Sequence, residues 1–150
     1  LGRLEILSFD PYLILDSAMN GDSAEKLVAA LNHCFSGLKK IFIFGASADH
    51  PVRDMLAVLA PQAEQILTVA SRHPRAATPG KLAEIAVDLG GRATPMSNVA
   101  VALEQALAEV GRDGLICVTG SLFLVADVRE IWLRRNGQLL PPIDPLVVST

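Results

Sequence analysis

The sequence predicts one α/β domain, a mostly parallel sheet with helices on both faces. Three observations predict it. Short, nearly continuous apolar runs lie at residues 12–15, 41–44, 65–70 and 115–118, as expected of strands covered on both sides. Between these runs apolar residues recur at helical spacing. Cap and turn residues mark each change of period, so strands alternate with helices through the chain.

In chain order, residues 4–7 alternate weakly and read as a short strand, and Asp10-Pro11 is a turn signal. Residues 12–15, YLIL, form the second strand and deliver Asp16 to its end. Asp22 opens a helix with Glu25 three residues on, in the manner of a capping box, and Leu27, Val28, Leu31 and Phe35 give it an apolar face. Gly37 closes it, because glycine tolerates the left-handed conformation needed there. The unit then repeats. A strand at 41–44 ends in Gly45. A helix opened by Pro51 buries Val52, Met55, Leu56 and Leu59, and Pro61 stops it. A strand at 65–70 leads into a polar loop, 71–79, that carries Arg72, His73 and Arg75. A helix over 80–89 faces inward through Leu82, Ile85, Ala86 and Leu89, and Gly90-Gly91 breaks it. Ser97 or Asn98 starts another, buried through Val99, Leu103, Leu107 and Val110. The strand at 115–118 turns through Thr119-Gly120-Ser121 into a last helix, 122–135, and the Pro-rich tail has no helical period. Connectivity of this kind is Rossmann-like. The strands at 12, 41 and 65 wind outward through right-handed crossovers, and the long passage from 80 to 111 lets the last strand return beside the one at 12. That makes a topological switch point, with the turns 17–21 and 119–121 facing each other across one crevice.

Composition narrows the function. At 51% hydrophobic and 5% aromatic, the core is aliphatic, which suits helices on a sheet rather than a stacking platform for bases. Thirteen Lys and Arg stand against sixteen Asp and Glu, with no long basic run, which argues against generic nucleic-acid binding. No apolar run reaches membrane-spanning length, and no charged-then-apolar leader is visible, so the expected location is the cytoplasm. Cys34 and Cys117 sit singly in apolar segments and read as reduced core residues. The opening LGRLE lacks an initiator Met, so a piece of a longer protein is expected, with residues 1–150 forming one domain of it.

Several chemistries lack their motif. There is no G-x-G-x-x-G, and Gly80-Lys81 is followed by Leu82 without the upstream glycine of a phosphate-binding loop. Ser121 lacks the flanking glycines of a nucleophile elbow. What remains is a set of polar residues at strand ends. Asp16 can accept two hydrogen bonds from a ribose diol, or cap its own turn. Asn20 reads as a turn residue. Ser121 can donate to a ligand carboxylate from a helix start, or be a plain N-cap. Arg3 precedes the core and reads as solvated, and Asp49 reads as the N-cap of the second helix. His33 and His73 lack ligand spacing and read as surface residues.

Taken together, three segments resemble the C-terminal domain of folylpolyglutamate synthases and dihydrofolate synthases, within the Mur ligase superfamily. GRLEIL with LILDSAMN looks like that family's GRLE and DGAHNP segment, IFIFGASADHPVRDML is similar to its FGxxxDKDxxxML, and CVTGSLFLVADVR is similar to its VTGSLYLVGEVR. The resemblance runs from Gly2 to the last helix. It implies a ligase in which ATP phosphorylates the carboxylate of a folate or folate polyglutamate and the amine of glutamate attacks the acyl phosphate. It implies that the phosphate-binding loop and the Mg²⁺ ligands belong to an N-terminal ATPase domain outside this chain, and that the whole works as a monomer. By resemblance, Arg3 matches the arginine that reaches the ATP phosphates, a role that suits an always-charged fork. Asp16, with Asn20 beside it, matches the segment that holds the ribose, and Ser121 matches a serine implicated in glutamate binding. Met19 stands where the family usually has His, Gly21 where it often has Pro, His50-Pro51 in place of Lys-Asp, and Phe123 in place of Tyr. Met19 and Phe123 therefore belong to the glutamate site with fewer polar contacts. Two other readings stay open: a Mur-type ligase acting on a cell-wall precursor, and a divergent, non-catalytic domain that binds a nucleotide or a partner.

Overall fold

The computed structural model describes residues 4–138. The sheet has six strands: β1 (Glu5–Phe9), β2 (Tyr12–Leu15), β3 (Lys40–Phe44), β4 (Gln65–Thr68), β5 (Ala93–Pro95) and β6 (Leu115–Thr119). Their spatial order is β1-β2-β6-β3-β4-β5. β1 is antiparallel to β2, and the other pairs are parallel. Five helices cover it: α1 (Gly21–Cys34), α2 (Val52–Leu59), α3 (Pro79–Asp88), α4 (Val99–Val110) and α5 (Leu122–Arg135).

The alternation of side chains along each strand divides the core in two. Ile14, Phe42, Phe44, Ile66 and Cys117 point to one face, where Leu27 and Leu31 of α1, Met55, Leu56 and Leu59 of α2, and Leu82 and Ala86 of α3 cover them. Leu13, Ile41, Ile43, Leu67 and Val118 point to the other, under Leu103 and Ala106 of α4 and Leu124 and Val128 of α5. α5 leaves β6 for the second face, while α1 and α2 leave the flanking strands β2 and β3 for the first. Leu15 and Val118 are register partners, as expected for the switch point, and both strands open on the same edge.

The structure corrects several expectations. β5 is an additional edge strand, three residues long and barely apolar, so no hydrophobic period announced it. The strand expected at 65–70 ends at Thr68, and β1 runs to Phe9. The N-cap of α1 is Asn20 rather than Asp22: its side chain accepts from Ser23 N, and the Ser23 hydroxyl answers to the cap backbone. Asp49 does not cap α2, whose N-cap position is Pro51 with no side-chain bond. Cys117 is buried as expected, but Cys34 is exposed at the end of α1.

A crevice at the carboxyl edge of the sheet

The candidate site is assembled from the turns that leave the parallel strands at one edge. After β2, Asp16 is buried, with 6% of its surface exposed, and each carboxylate oxygen has a backbone donor. Ala18 N donates to Oδ1 at 2.9 Å, and Leu4 N donates to Oδ2 at 3.0 Å. Asp16 thus shapes its own turn and also fastens the chain where it enters β1. Leu4 takes a positive φ of 47° there, and Glu5 beside it pairs with Arg129 of α5. Burial, and then the neighbouring Asp16 charge, push the Cys117 thiol well up, which keeps it protonated and inert.

After β6, Gly120 and Ser121 turn the chain into α5. Gly120 has a φ of 111°, and a Cβ there would lie 2.4 Å from the Gly45 carbonyl, so backbone meets backbone where β3 and β6 end. Ser121 is 3% exposed, and its hydroxyl accepts from Phe123 N at 3.1 Å, the N-cap arrangement. The next two residues are apolar and open to solvent, Leu122 at 54% and Phe123 at 53%, with Met19 across from them at 47%.

The loops after β3 and β4 complete the edge. They are stitched together: Ala48 N donates to Arg75 O at 2.7 Å, Ala77 N donates to Ala46 O at 2.8 Å, and Ser47 and Ala76 form a bridge. The Arg75 guanidinium pairs with Asp49 at 2.9 Å. His73 packs its ring on Phe123, with centroids 4.5 Å apart, and accepts from Arg75 N at 3.1 Å through Nδ1. Arg72 is tied to α5 instead, with Nε donating to Asp127 at 2.7 Å and a further bond to Glu130. The bond to Asp127 pushes its pKa up further still.

Together these segments enclose a crevice of about 290 Å³. Met19, Ser121 and Phe123 line it, and so do Asp49, which the sequence read as a cap, His73, which it read as surface, and His50 and Arg75. The two histidines and Arg75 come from loops whose proximity follows from β3 and β4 being adjacent parallel strands, a relation the strand order alone implied. Asp16 and Asn20 do not line the crevice. Asp16 lies beneath the β2 turn and Asn20 is engaged in capping. Arg3 lies outside the described residues. Two polar atoms near this edge, His50 Nδ1 and Thr119 Oγ1, are buried with no partner among the described residues. Leaving such an atom unpaired costs about 1–3 kcal/mol. Among the described residues no group of three His, Cys, Asp or Glu side chains is placed to hold a metal, and no helix is long and apolar enough to cross a membrane.

The family model described as the Mur ligase glutamate ligase domain matches residues 2–122. A probable bifunctional folylpolyglutamate synthase/dihydropteroate synthase of Haloferax volcanii is 30% identical over 134 residues, which is 89% of this chain and 16% of that protein. The dihydrofolate synthase/folylpolyglutamate synthase of Bacillus subtilis is 27% identical over 131 residues, 86% of this chain and 30% of its own length. Among solved structures, E. coli FolC in complex with DHPP and ADP superimposes with a TM-score of 0.83 at 27% identity, covering 90% of this chain and 32% of that one. The Yersinia pestis bifunctional folylpolyglutamate synthase/dihydrofolate synthase with Mn, AMPPNP and L-glutamate bound gives 0.79 at 31% identity, over 87% of this chain and 31% of the other. The chain therefore spans between a sixth and a third of the length of these relatives.

Proposed function

Because this chain belongs to the family of Mur ligase glutamate ligase domains, we propose that it is the C-terminal domain of a two-domain, ATP-dependent ligase that adds glutamate to a folate or folate polyglutamate. The observation that carries the reading is the pairing of Leu15 with Val118, which sets the Asp16 turn and the Ser121 turn side by side on one edge of the sheet. In the proposed reaction a folate carboxylate is activated as an acyl phosphate at the expense of ATP. The amine of glutamate then forms the amide, releasing phosphate and a proton.

The parts of this chain divide the work. Ser121, at the start of α5, offers its hydroxyl proton to a carboxylate of glutamate, and the first turn of that helix adds a favourable field for an anion. Met19 and Phe123 cover the methylenes of the amino acid. Asp16 shapes the neighbouring turn on the nucleotide side through its bonds to Ala18 N and Leu4 N, and Asn20 starts α1 beside it. Arg3 contributes its guanidinium to neutralise phosphate charge across the cleft. On this reading Mg²⁺ is held mainly by the N-terminal ATPase domain of the same chain. The reading places the enzyme in the cytoplasm, acting as a monomer.

The test is phosphate release by the intact protein with ATP, Mg²⁺, a folate and glutamate. Release that depends on both folate and glutamate is expected, and residues 1–150 alone should stay at background. An intact protein that releases no phosphate on adding glutamate, or a 150-residue chain that turns over by itself, would sink the two-domain ligase reading.

A further inference from the structure

Within that ligase reading, we infer that His73 is a substrate-binding residue whose imidazole donates to a carboxylate of the incoming amino acid. Most polar groups lining the crevice are engaged with their own loops. Ser47 Oγ accepts from Asp49 N at 3.3 Å, Ser121 Oγ accepts from Phe123 N, and Asp49 and Arg75 hold each other. The rim is apolar through Met19, Leu122 and Phe123. A zwitterionic dicarboxylate entering this space has two carboxylates to satisfy and, beyond the hydroxyl protons of Ser47 and Ser121, needs a further donor that is fixed in place and not already committed.

His73 meets that need. Its Nδ1 accepts from Arg75 N, so the neutral ring carries its proton on Nε2, and among the described residues none accepts from that nitrogen. The ring is held against Phe123, and the Ser71 hydroxyl accepts from the His73 backbone N–H at 3.3 Å. The loop is anchored on both sides, by Arg72 on Asp127 and by the bridge of Ala76 with Ser47. The donor is therefore oriented before the ligand arrives, which lowers the ordering cost of binding.

The experiment is steady-state kinetics of the intact ligase, varying glutamate at saturating ATP and folate. His73→Ala is expected to raise KM for glutamate about tenfold, the loss of one hydrogen bond to a charged group. It should leave kcat within about threefold and KM for ATP unchanged. His73→Gln, which keeps an N–H donor, should recover a good part of the loss. An active wild type with a glutamate KM in His73→Ala within about twofold of its own overturns the inference and leaves the ligase reading standing. So does a variant in which the KM values for ATP and glutamate rise together with a drop in melting temperature, the mark of a structural role. A wild type inert towards glutamate overturns the ligase reading itself, and the inference with it.

Discussion

The turns after β2 and β6 hold their shape with short-range bonds, whereas the loops after β3 and β4 add to such bonds a set that ties each loop to the other. Asn20 caps with Ser23, Ser121 with Phe123, and Asp16 with Ala18, each within a few residues. On the other side, residues 46–48 and 75–77 form a bridge across loops that are far apart in sequence, and Asp49 finds its partner in Arg75. A local turn can be changed at one residue and lose everything that residue did. A stitched pair of loops shares the load among several backbone bonds, so a single side chain there matters little for stability and is available for ligands.

That contrast predicts a graded set of effects, each read from urea denaturation of the 150-residue chain. The largest is expected at Gly120→Val. Its left-handed φ of 111° and the Gly45 carbonyl 2.4 Å from any Cβ allow no accommodation without moving β3 or β6. A loss of at least about 3 kcal/mol follows from strain and overpacking together, and an unchanged midpoint would mean that the two strand ends are not in contact. Asp16→Ala comes next, at about 2–3 kcal/mol, because two backbone N–H groups, one of them buried, lose a charged acceptor. Asp16→Asn keeps one acceptor and should cost about half as much. An Asp16→Asn variant as stable as the wild type would show that the second of these bonds contributes nothing. Arg75→Ala should fall within about 0.5 kcal/mol, since its pair with Asp49 is exposed on both sides and the bridge is made of backbone. A loss of more than about 1 kcal/mol there would erase the distinction between local turns and stitched loops.

Sequence reading was strongest where a residue's role is local or periodic. The runs at 12–15, 41–44 and 115–118 became strands because each is apolar on both faces, and the pairing of the strands at 12 and 115 followed from chain order and crossover handedness. Ser121 was recognisable because an N-cap is a short-range device. It was weakest where two segments meet. β5 owes its place to hydrogen bonds with β4 rather than to apolar residues. Asp49 looked like a cap because its partner Arg75 lies in another loop. His73 looked like surface because the ring it packs on, Phe123, arrives 50 residues later. Cys34 sits on the last turn of a helix whose buried stripe passes through Leu27 and Leu31 and leaves it outside.

The insertion of β6 between β2 and β3 also has a consequence for the order of folding. Residues 12 and 115 are register partners, and so are 41 and 116. Until residues 115–119 leave the ribosome, β2 has only β1 beside it and β3 only β4, and the layer of α1, α2 and α3 has a gap in the sheet beneath it. Closing loops of that length is slow, because chain entropy is lost before the pairing contacts are gained. Seating β6 fills the centre of the sheet and in the same event brings Ser121 to the edge where Met19 waits. A nascent chain stopped short of residue 119 has neither a complete core nor a crevice, so the domain gains its stability and its candidate binding surface in one cooperative step.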